Sequence, residues 1–386
     1  MLRPSILAPF ANRLGRPCSK ILHPDLASCE ELKAECARST AADFALTTLT
    51  TIQDVPESEF AKHGLTKGKL LQMLQKMLLL RRFEEKIEEL FLVKGALIGP
   101  SHLYLGEEAI AVGAMAALQP EDLTVTTYRG HGHALAKNVP TNLCMAELFG
   151  KSTGTCKGLG GSMHVAIYPK TGSLYATAIV GSGLPIAAGV GLGLKQKKSG
   201  HVAACFFGDG AVNTGAFHEA LNLIALWKLP VLLFCENNQY AMSTPVNRAV
   251  SSPSIAERGK SYGMETVVVN GNDVVSVFVA TKAAAERARR EPQPTFLECV
   301  TYKMKGHGVY DKGDYRPKDE VAKWLERDPI LTFEKRLVER KLVTQAEIEK
   351  ADTATRQEVE DAVAFAQQGS PLPFGDLEKY VYAGGQ

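Results

Sequence analysis

The sequence predicts an α/β fold in which a doubly wound parallel sheet is flanked by helices. Short apolar runs alternate with amphipathic segments between residues 202 and 300, which is typical of parallel strands joined by crossover helices. The clearest unit spans residues 202–240, where an amphipathic helix connects two apolar runs, the second of which reads VLLFCE. Runs that are apolar throughout indicate strands covered on both faces of a sheet.

Polar residues follow both strands of this unit. Asp209 lies in a Gly-Asp-Gly turn after the first strand, and Asn238 ends an Asn-Asn pair after the second. Parallel strands bring their C-terminal ends to one edge of the sheet, where ligands bind in open α/β folds. The side-chain oxygens of Asp209 and Asn238 are suitable ligands for a Mg2+ ion that also binds substrate phosphates. The N-terminus of the helix predicted near Thr214 favours an anion at the same edge. The segment therefore predicts a metal-bridged diphosphate site, with two unrelated turns as the alternative.

The chain before this unit predicts three helices, a strand and a glycine-rich loop. Residues 65–91 carry apolar side chains at helical spacing, and a small-residue helix begins at the acidic pair Glu107-Glu108. The β-prone run TVTTYR places Arg129 at a strand end, where a guanidinium suits a diphosphate oxygen. Residues 156–164 predict a flexible loop. Residues 178–195 predict a turn and an Ala/Gly-rich helix, and because its glycines lie inside the helix, no dinucleotide-binding motif is indicated.

The alternating pattern continues after the unit and ends in helices. The predicted elements are, in order, a short helix at 255–263, a strand at 265–271, a helix at 274–290 and a strand at 294–303. Residues 304–317 are polar and Gly-rich, so we expect a loop with little order of its own. A helix starting at Asp328-Pro329 and an acidic amphipathic helix over 344–368 follow. The fold thus has helical N- and C-terminal extensions.

Composition limits the classes of function. The 386 residues include 45% apolar and 22% charged residues, as in soluble globular chains. The net charge of +2 gives no basic surface for a polyanion, so nucleic acid is not an expected partner. No apolar run approaches the length that crosses a membrane. The eight cysteines form no CxxC pair, and two lie inside apolar strands, which indicates a reducing compartment.

The first 24 residues differ from the rest of the chain. They contain three arginines and a lysine, no acid before Asp25, and apolar residues every four positions. This pattern is typical of a transit peptide and would place the protein in the mitochondrial matrix. Pro4 and Pro9 would disturb a helix, however, and a bacterial cytoplasmic protein with a disordered extension remains the alternative. The predicted divisions are an N-terminal extension (1–64, with a candidate transit segment at 1–24), a cofactor-binding domain (65–325) and a C-terminal helical region (326–386).

Several motifs in order resemble the alpha subunit of the thiamine diphosphate-dependent 2-oxo acid dehydrogenases, a family that includes the pyruvate, branched-chain 2-oxo acid and acetoin enzymes. The motifs are RRFEEK, HLYLGEEA, TYRGHGHALAK, KGLGGSMH, GDGAVNTGAFHEALNLIALWKLP and CENNQYAMSTPV. The likeness runs from about Leu65 to Phe365. Gly-Asp-Gly followed after 26 residues by Asn-Asn resembles the thiamine diphosphate motif, and the fold implied is the thiamine diphosphate-binding fold.

The resemblance implies the cofactors thiamine diphosphate and Mg2+, and a role for each matching residue. The implied metal ligands are Asp209, Asn238 and the backbone carbonyl of Tyr240. The implied cofactor contacts are His102, Tyr128 and Arg129 near the diphosphate, Ile179 and Val180 around the rings, Gly210 and Ala211 after the metal-binding Asp, and His307. His307 matches the active-site His of the family, and with His102 it forms the implied catalytic pair.

The implied function is decarboxylation of a 2-oxo acid, with pyruvate favoured, and transfer of the acyl unit to a lipoyl group. The implied partners are a beta subunit in an α2β2 heterotetramer and the lipoyl acyltransferase core of a multienzyme complex. Acetoin and branched-chain 2-oxo acid dehydrogenase alpha subunits are alternatives. A cofactor-free interaction subunit is a remote one, disfavoured by the intact Asp209, Asn238, Arg129 and His307. A nicotinamide-binding dehydrogenase is a further alternative, but this chain lacks the glycine motif that such an enzyme needs.

The sequence departs from the animal pyruvate enzymes at the loop that contains His307. Those enzymes carry a serine directly after this His, a target of a dedicated kinase, whereas this chain has Gly308. Asp314 stands where the loop's second serine is expected. Control by that kinase is therefore not expected. The motif YRGHGH is more similar to acetoin-type and bacterial sequences.

Overall fold

The computed structural model describes residues 55–92, 95–97 and 99–381. The transit segment predicted at residues 1–24, and most of the extension predicted at 1–64, lie outside the described residues. The domain boundaries drawn at 64/65 and 325/326 stay predictions.

A six-stranded parallel sheet forms the centre of the molecule, which confirms the predicted fold class. Its strands are β1 (Leu123–Thr127), β2 (Ser173–Thr177), β3 (Ala203–Gly208), β4 (Val231–Asn237), β7 (Glu265–Asn270) and β8 (Thr295–Val300), and β5 (Tyr240–Ala241) and β6 (Thr244–Pro245) form a separate hairpin. The strand order is β2-β1-β3-β4-β8-β7. Strand β2 was not predicted, because SLYAT at the edge of the sheet is short and carries no apolar run.

Helices cover both faces of the sheet. They are α1 (Phe60–His63), α2 (Lys67–Leu92), α3 (Glu108–Ala117), α4 (His131–Ala136), α5 (Thr141–Leu148), α6 (Gly183–Lys197), α7 (Gly215–Leu226), α8 (Val246–Ala249), α9 (Ala256–Ser261), α10 (Val274–Arg290), α11 (Lys318–Leu325), α12 (Pro329–Glu339) and α13 (Gln345–Gln368). Short 3-10 turns lie at Glu57–Glu59, Gly161–His164, Asp209–Asn213 and Phe374–Tyr380. None of the helices in the described ranges is both long enough and apolar enough to cross a membrane.

The order of the strands places a crevice beside β3. The chain runs from β1 outward to β2 and then returns to build β3 on the other side of β1. This reversal is a topological switch point, outside which open α/β sheets bind their ligands. Strands β3 and β4 pair in parallel with Gly208 opposite Glu236. The residues that follow, Asp209 and Asn238, therefore emerge at the same edge, as predicted.

Alternate side chains of the central strands enter two separate cores. Phe206 of β3 and Phe234 of β4 stack with ring centroids 4.6 Å apart and pack in the core beneath α3 and α10. Their neighbours Cys205 and Leu233 enter the core on the opposite face, beneath α6 and α7. A fully buried Leu or Phe contributes about 1.5–3 kcal/mol relative to an exposed one. Both faces are thus anchored, and the edge is free to carry polar groups.

Side-chain caps fix three helix starts that the sequence indicated. Thr214 accepts a hydrogen bond from the Phe217 N–H ahead of α7, and Asp328 caps α12. Thr344 and Glu347 form a reciprocal capping box at the start of α13. A cap of this kind contributes about 1 kcal/mol, and only a few residue types provide it. A capping residue before an apolar pattern therefore marks a helix start in the sequence. Helix α13 packs against α2 and α5.

Candidate active site

A cavity of about 410 Å³ opens at the C-terminal edge of the sheet, beside the switch point. Every site residue that the sequence predicted lies in its lining: His102, Tyr128, Arg129, Ile179, Val180, Asp209, Gly210, Ala211, Asn238, Tyr240 and His307. They come from the ends of β1, β2, β3 and β4, from the segment before α3, and from the loop after β8. The structure therefore brings together residues as far apart in the chain as His102 and His307.

Asp209 is held in the tight turn that ends β3. The residue is only 4% exposed, and burial raises the pKa of its carboxyl to about 6 from an ordinary value of 3.8. Gly210 follows it, where a Cβ atom would lie 2.8 Å from the Cβ of Ala241. The close approach of the β5 hairpin explains why glycine is needed here. A buried carboxylate with a raised pKa gains from a nearby cation.

Asn238 contacts a buried acid that the sequence did not single out as a site residue. Its Nδ2 donates to Oε2 of Glu107 at 3.0 Å, and Oε1 of Glu107 lies 3.6 Å from Nε of Arg129. Glu107 is completely buried, and burial raises the pKa of its carboxyl to about 7. The Oδ1 atom of Asn238 is buried and has no hydrogen-bond partner in the described structure. An oxygen in that state fits a cation, because unpaired buried polar atoms are costly.

Tyr240 presents its backbone carbonyl to a buried lysine. Lys303 donates from Nζ to this carbonyl oxygen at 3.1 Å, and burial lowers the pKa of its ammonium to about 8. The hydroxyl of Tyr240 donates to Glu320. In the parts of the chain that the structure describes, no three His, Cys, Asp or Glu side chains converge on a metal position. A metal here would depend on one carboxylate, one amide and one carbonyl.

Three aromatic rings form a cluster beside these polar groups. The ring of His102 lies 4.6 Å from that of Tyr128 and 5.0 Å from that of His307, measured between centroids. Burial and the charge of Arg129 lower the pKa of His307 to about 4 and that of His102 to about 3. Both imidazoles are therefore neutral near pH 7. A neutral imidazole can accept a proton as well as donate one.

The loop that carries His307 contains several hydrogen bonds to one of its own carboxylates, and the expectation of little intrinsic order stays a prediction. Asp311 accepts hydrogen bonds from the N–H of His307 at 2.6 Å, the N–H of Gly313 at 2.9 Å and the hydroxyl of Tyr315 at 2.9 Å. Arg129 donates to the His307 carbonyl at 3.1 Å. Residues 304–317 form no helix or strand, as predicted. Polar composition concealed a network of hydrogen bonds within the loop.

The glycine-rich segment near the cavity is anchored by a single carboxylate. Glu147, completely buried in α5, accepts four backbone N–H groups at 2.7–3.0 Å. These N–H groups belong to Cys156, Gly158, Gly160 and Gly161. Met163, at the end of the segment, lines the cavity. The loop was predicted, but its anchor lies outside it in sequence and gave no signal.

Two predicted residues lie at the mouth of the cavity. Ile179 is 71% exposed and Val180 is 52% exposed, both just after β2, and the nearby Met242 is also exposed. Apolar side chains gathered at a cavity mouth are unusual on a free surface. Nothing in the described part of this chain covers them.

The two histidines of the YRGHGH motif are buried behind the cavity. His131 contacts Glu84 at 3.0 Å through Nδ1, and His133 contacts Glu236 at 2.9 Å through Nε2. Neither lines the cavity, whereas Glu236 does. The lining residues missed from the sequence are chiefly Glu107, Glu236 and Lys303. Glu107 stands at a helix start and Glu236 lies inside a strand, where acids look like ordinary structural residues. Only their burial identifies them as site residues, and burial cannot be read from a single sequence.

Comparison with known proteins gives one family and several relatives. The family model described as dehydrogenase E1 component matches residues 75–373. The alpha subunit of acetoin:2,6-dichlorophenolindophenol oxidoreductase from Bacillus subtilis is 46% identical over 80% of this chain and 92% of its own length. Pyruvate dehydrogenase E1 component alpha subunits are 36% identical in Porphyra purpurea, over 86% of this chain and 97% of theirs, and 40% identical in Zymomonas mobilis, over 82% and 88%.

Proposed function

Because the chain belongs to the dehydrogenase E1 component family, we propose that it is the alpha subunit of a component that decarboxylates pyruvate and passes the acetyl unit to a lipoyl group. The observation that carries this proposal is the meeting of Asp209, Asn238 and Arg129 with His307 in one cavity at the switch point. A catalytically silent subunit would have no need to keep these buried polar groups together, since each costs stability.

The family depends on thiamine diphosphate, which supplies a centre that stabilises negative charge when carbon dioxide is lost. We propose that Asp209, Asn238 Oδ1 and the Tyr240 carbonyl bind Mg2+, which prefers such oxygens. Lys303, which donates to that carbonyl, would then move to other acceptors. Arg129, together with Tyr128 and His102, would bind the diphosphate.

The other lining residues would orient the cofactor and handle protons. Ile179 and Val180 would pack against its rings and exclude water, and Gly210 and Ala211 would let it approach the backbone. His307, which is neutral because burial and Arg129 lower its pKa, would accept or donate a proton at the reacting group through a ring nitrogen. A positioned His of this kind contributes about 10²–10⁴-fold to rate.

Members of this family work with a beta subunit, and we propose an α2β2 heterotetramer that delivers acyl groups to a lipoyl acyltransferase core. The exposed Ile179, Val180 and Met242 at the cavity mouth support a protein partner there, because burial of apolar surface drives association. The compartment follows from the leader: mitochondrial matrix if residues 1–24 are a transit peptide, and bacterial cytoplasm otherwise. The domain boundaries given above are part of the same proposal.

Acetoin cleavage is the second candidate activity. It is favoured by the 46% identity with the alpha subunit of an acetoin:2,6-dichlorophenolindophenol oxidoreductase. Branched-chain 2-oxo acids form a third substrate class. Part of the substrate pocket would come from the partner subunit, so this chain alone does not separate the three.

Co-expression with candidate beta subunits tests the proposal. The purified complex should bind thiamine diphosphate in calorimetric titration. Carboxyl-labelled pyruvate should then release labelled carbon dioxide faster than acetoin releases acetaldehyde or branched 2-oxo acids lose their carboxyl groups. Faster cleavage of acetoin would replace the main proposal by the second, and absence of any cofactor binding would overturn both.

A further inference from the structure

The contact between Glu107 and Asn238 has a directional consequence. Nδ2 of Asn238 donates to Oε2 of Glu107 at 3.0 Å, so the side of the amide that faces Glu107 is the NH2 group. The carbonyl oxygen, Oδ1, then lies on the other side of the amide. There it is buried, in a residue that lines the cavity, and no described group hydrogen-bonds to it.

Glu107 is itself held firmly. Its N–H donates to the Tyr104 carbonyl at 3.2 Å, and its own carbonyl accepts from Ile110 at 3.0 Å in the first turn of α3. The preceding Gly106 has a φ of +95°, and a Cβ there would lie 2.5 Å from the Tyr302 carbonyl oxygen. The segment is therefore pressed against the chain that follows β8. The backbone of Glu107 is therefore fixed beside Asn238, and from this position its carboxyl can impose an orientation on the Asn238 amide.

We propose that Glu107 is a positioning residue of the metal site, which turns the Asn238 amide so that its oxygen, rather than its NH2 group, faces the cation. The proposal rests on the proposed function, because it assumes that Asn238 binds Mg2+. An NH2 group cannot replace the oxygen, since Mg2+ takes oxygen ligands. Partners that orient metal ligands typically change metal affinity by about 10–100-fold when they are removed.

Two substitutions at Glu107 separate this role from a merely structural one. Glu107→Ala removes the acceptor and frees the amide to rotate, so Mg2+ affinity should fall by about 10–100-fold. Glu107→Gln keeps an acceptor oxygen for Nδ2 of Asn238, so Mg2+ affinity should remain close to that of the parent. The glutamine loses only the charge that faces Arg129 at 3.6 Å.

Glu84 provides a matched control. It is also completely buried, but its carboxylate contacts His131 and does not line the cavity. Glu84→Ala and Glu84→Gln should therefore both bind Mg2+ with the affinity of the parent protein. Thermal unfolding of all four variants reports whether each remains folded.

The experiment is calorimetric titration of Mg2+ into the full chain, assembled with its beta subunit, at saturating thiamine diphosphate. The expected result is weak binding by Glu107→Ala with recovery in Glu107→Gln. Parent-like affinity of Glu107→Ala would overturn the proposal. Equal losses in Glu107→Ala and Glu107→Gln would also overturn it, because the charge and not the acceptor would then matter. If the parent itself bound neither Mg2+ nor cofactor, the proposed function would fail instead.

Discussion

Asp209→Asn should remove Mg2+ binding while making the ligand-free chain more stable at pH 7.5. The substitution preserves the shape of the side chain and removes its charge. Asp209 is only 4% exposed, and burial is the main cause of its raised pKa. A charge that the folded chain holds at such a position opposes folding unless a cation compensates it.

The size of the effect follows from the pKa. A rise from 3.8 to about 6 corresponds to about 3 kcal/mol of penalty on the ionised form. The folded chain binds the proton of the Asp209 carboxyl more tightly than the unfolded chain does. The free energy of unfolding of the wild-type chain therefore falls as the pH rises from about 4 through about 6. The gain in stability of Asp209→Asn should thus be small near pH 4, at about 0.5 kcal/mol, and reach about 1–3 kcal/mol above pH 7, or roughly a few degrees in melting temperature. The upper value is a limit, because Lys303 loses an attractive partner.

Chemical denaturation of the ligand-free protein at pH 4.5 and pH 7.5, with calorimetric titration of Mg2+ at saturating thiamine diphosphate, measures both effects. Asp314→Asn is the control, because Asp314 is exposed on the loop and should change neither quantity. Lower stability of Asp209→Asn at pH 7.5 would refute the argument from burial. Unchanged Mg2+ affinity would refute the assignment of Asp209 as a ligand.

Three further outcomes are expected. His307→Ala should lower acyl transfer in the reconstituted complex by about 10²–10⁴-fold with cofactor affinity near that of the parent; normal turnover would make His307 a bystander. Because Asp209 must be ionised to bind Mg2+ and its pKa is about 6, Mg2+ affinity should fall about fourfold between pH 7.5 and pH 5.5, and a flat titration series would contradict this. Since Gly308 and Asp314 stand at the two serine positions, incubation with a pyruvate dehydrogenase kinase and ATP should leave activity unchanged; inactivation with phosphate incorporated into residues 304–317 would argue the reverse.

The polar ends of the strands were the part of the site that sequence could locate. Asp209 and Asn238 each follow a continuous apolar run, and parallel strands share the direction of their ends, so their meeting needed no knowledge of the rest of the chain. Ile179 and Val180 were different. They follow the unpredicted strand β2, and only the resemblance to a family indicated them.

Residues whose role depends on burial could not be found in this way. Glu107 stands directly before α3, where an acid is ordinary because it favours the helix dipole. Lys303 is the last residue of the strand predicted at 294–303, directly before a polar loop, where a lysine is expected to be solvated, yet only 1% of it is exposed. Short helices such as α4 and α5 were also missed, since six or eight residues hold too little periodicity to separate from a loop.

The carboxylate of Glu147 gives the glycine-rich loop an unusual kind of order. Four amides of that loop share one acceptor residue, so none can open far without disturbing the others. Glycines lose more conformational freedom on folding than any other residue. In this loop the hydrogen bonds to the Glu147 carboxylate offset that loss. The four amides should therefore exchange hydrogen with solvent at a common rate, as one cooperative unit. The loop beside the cavity would open all at once or not at all.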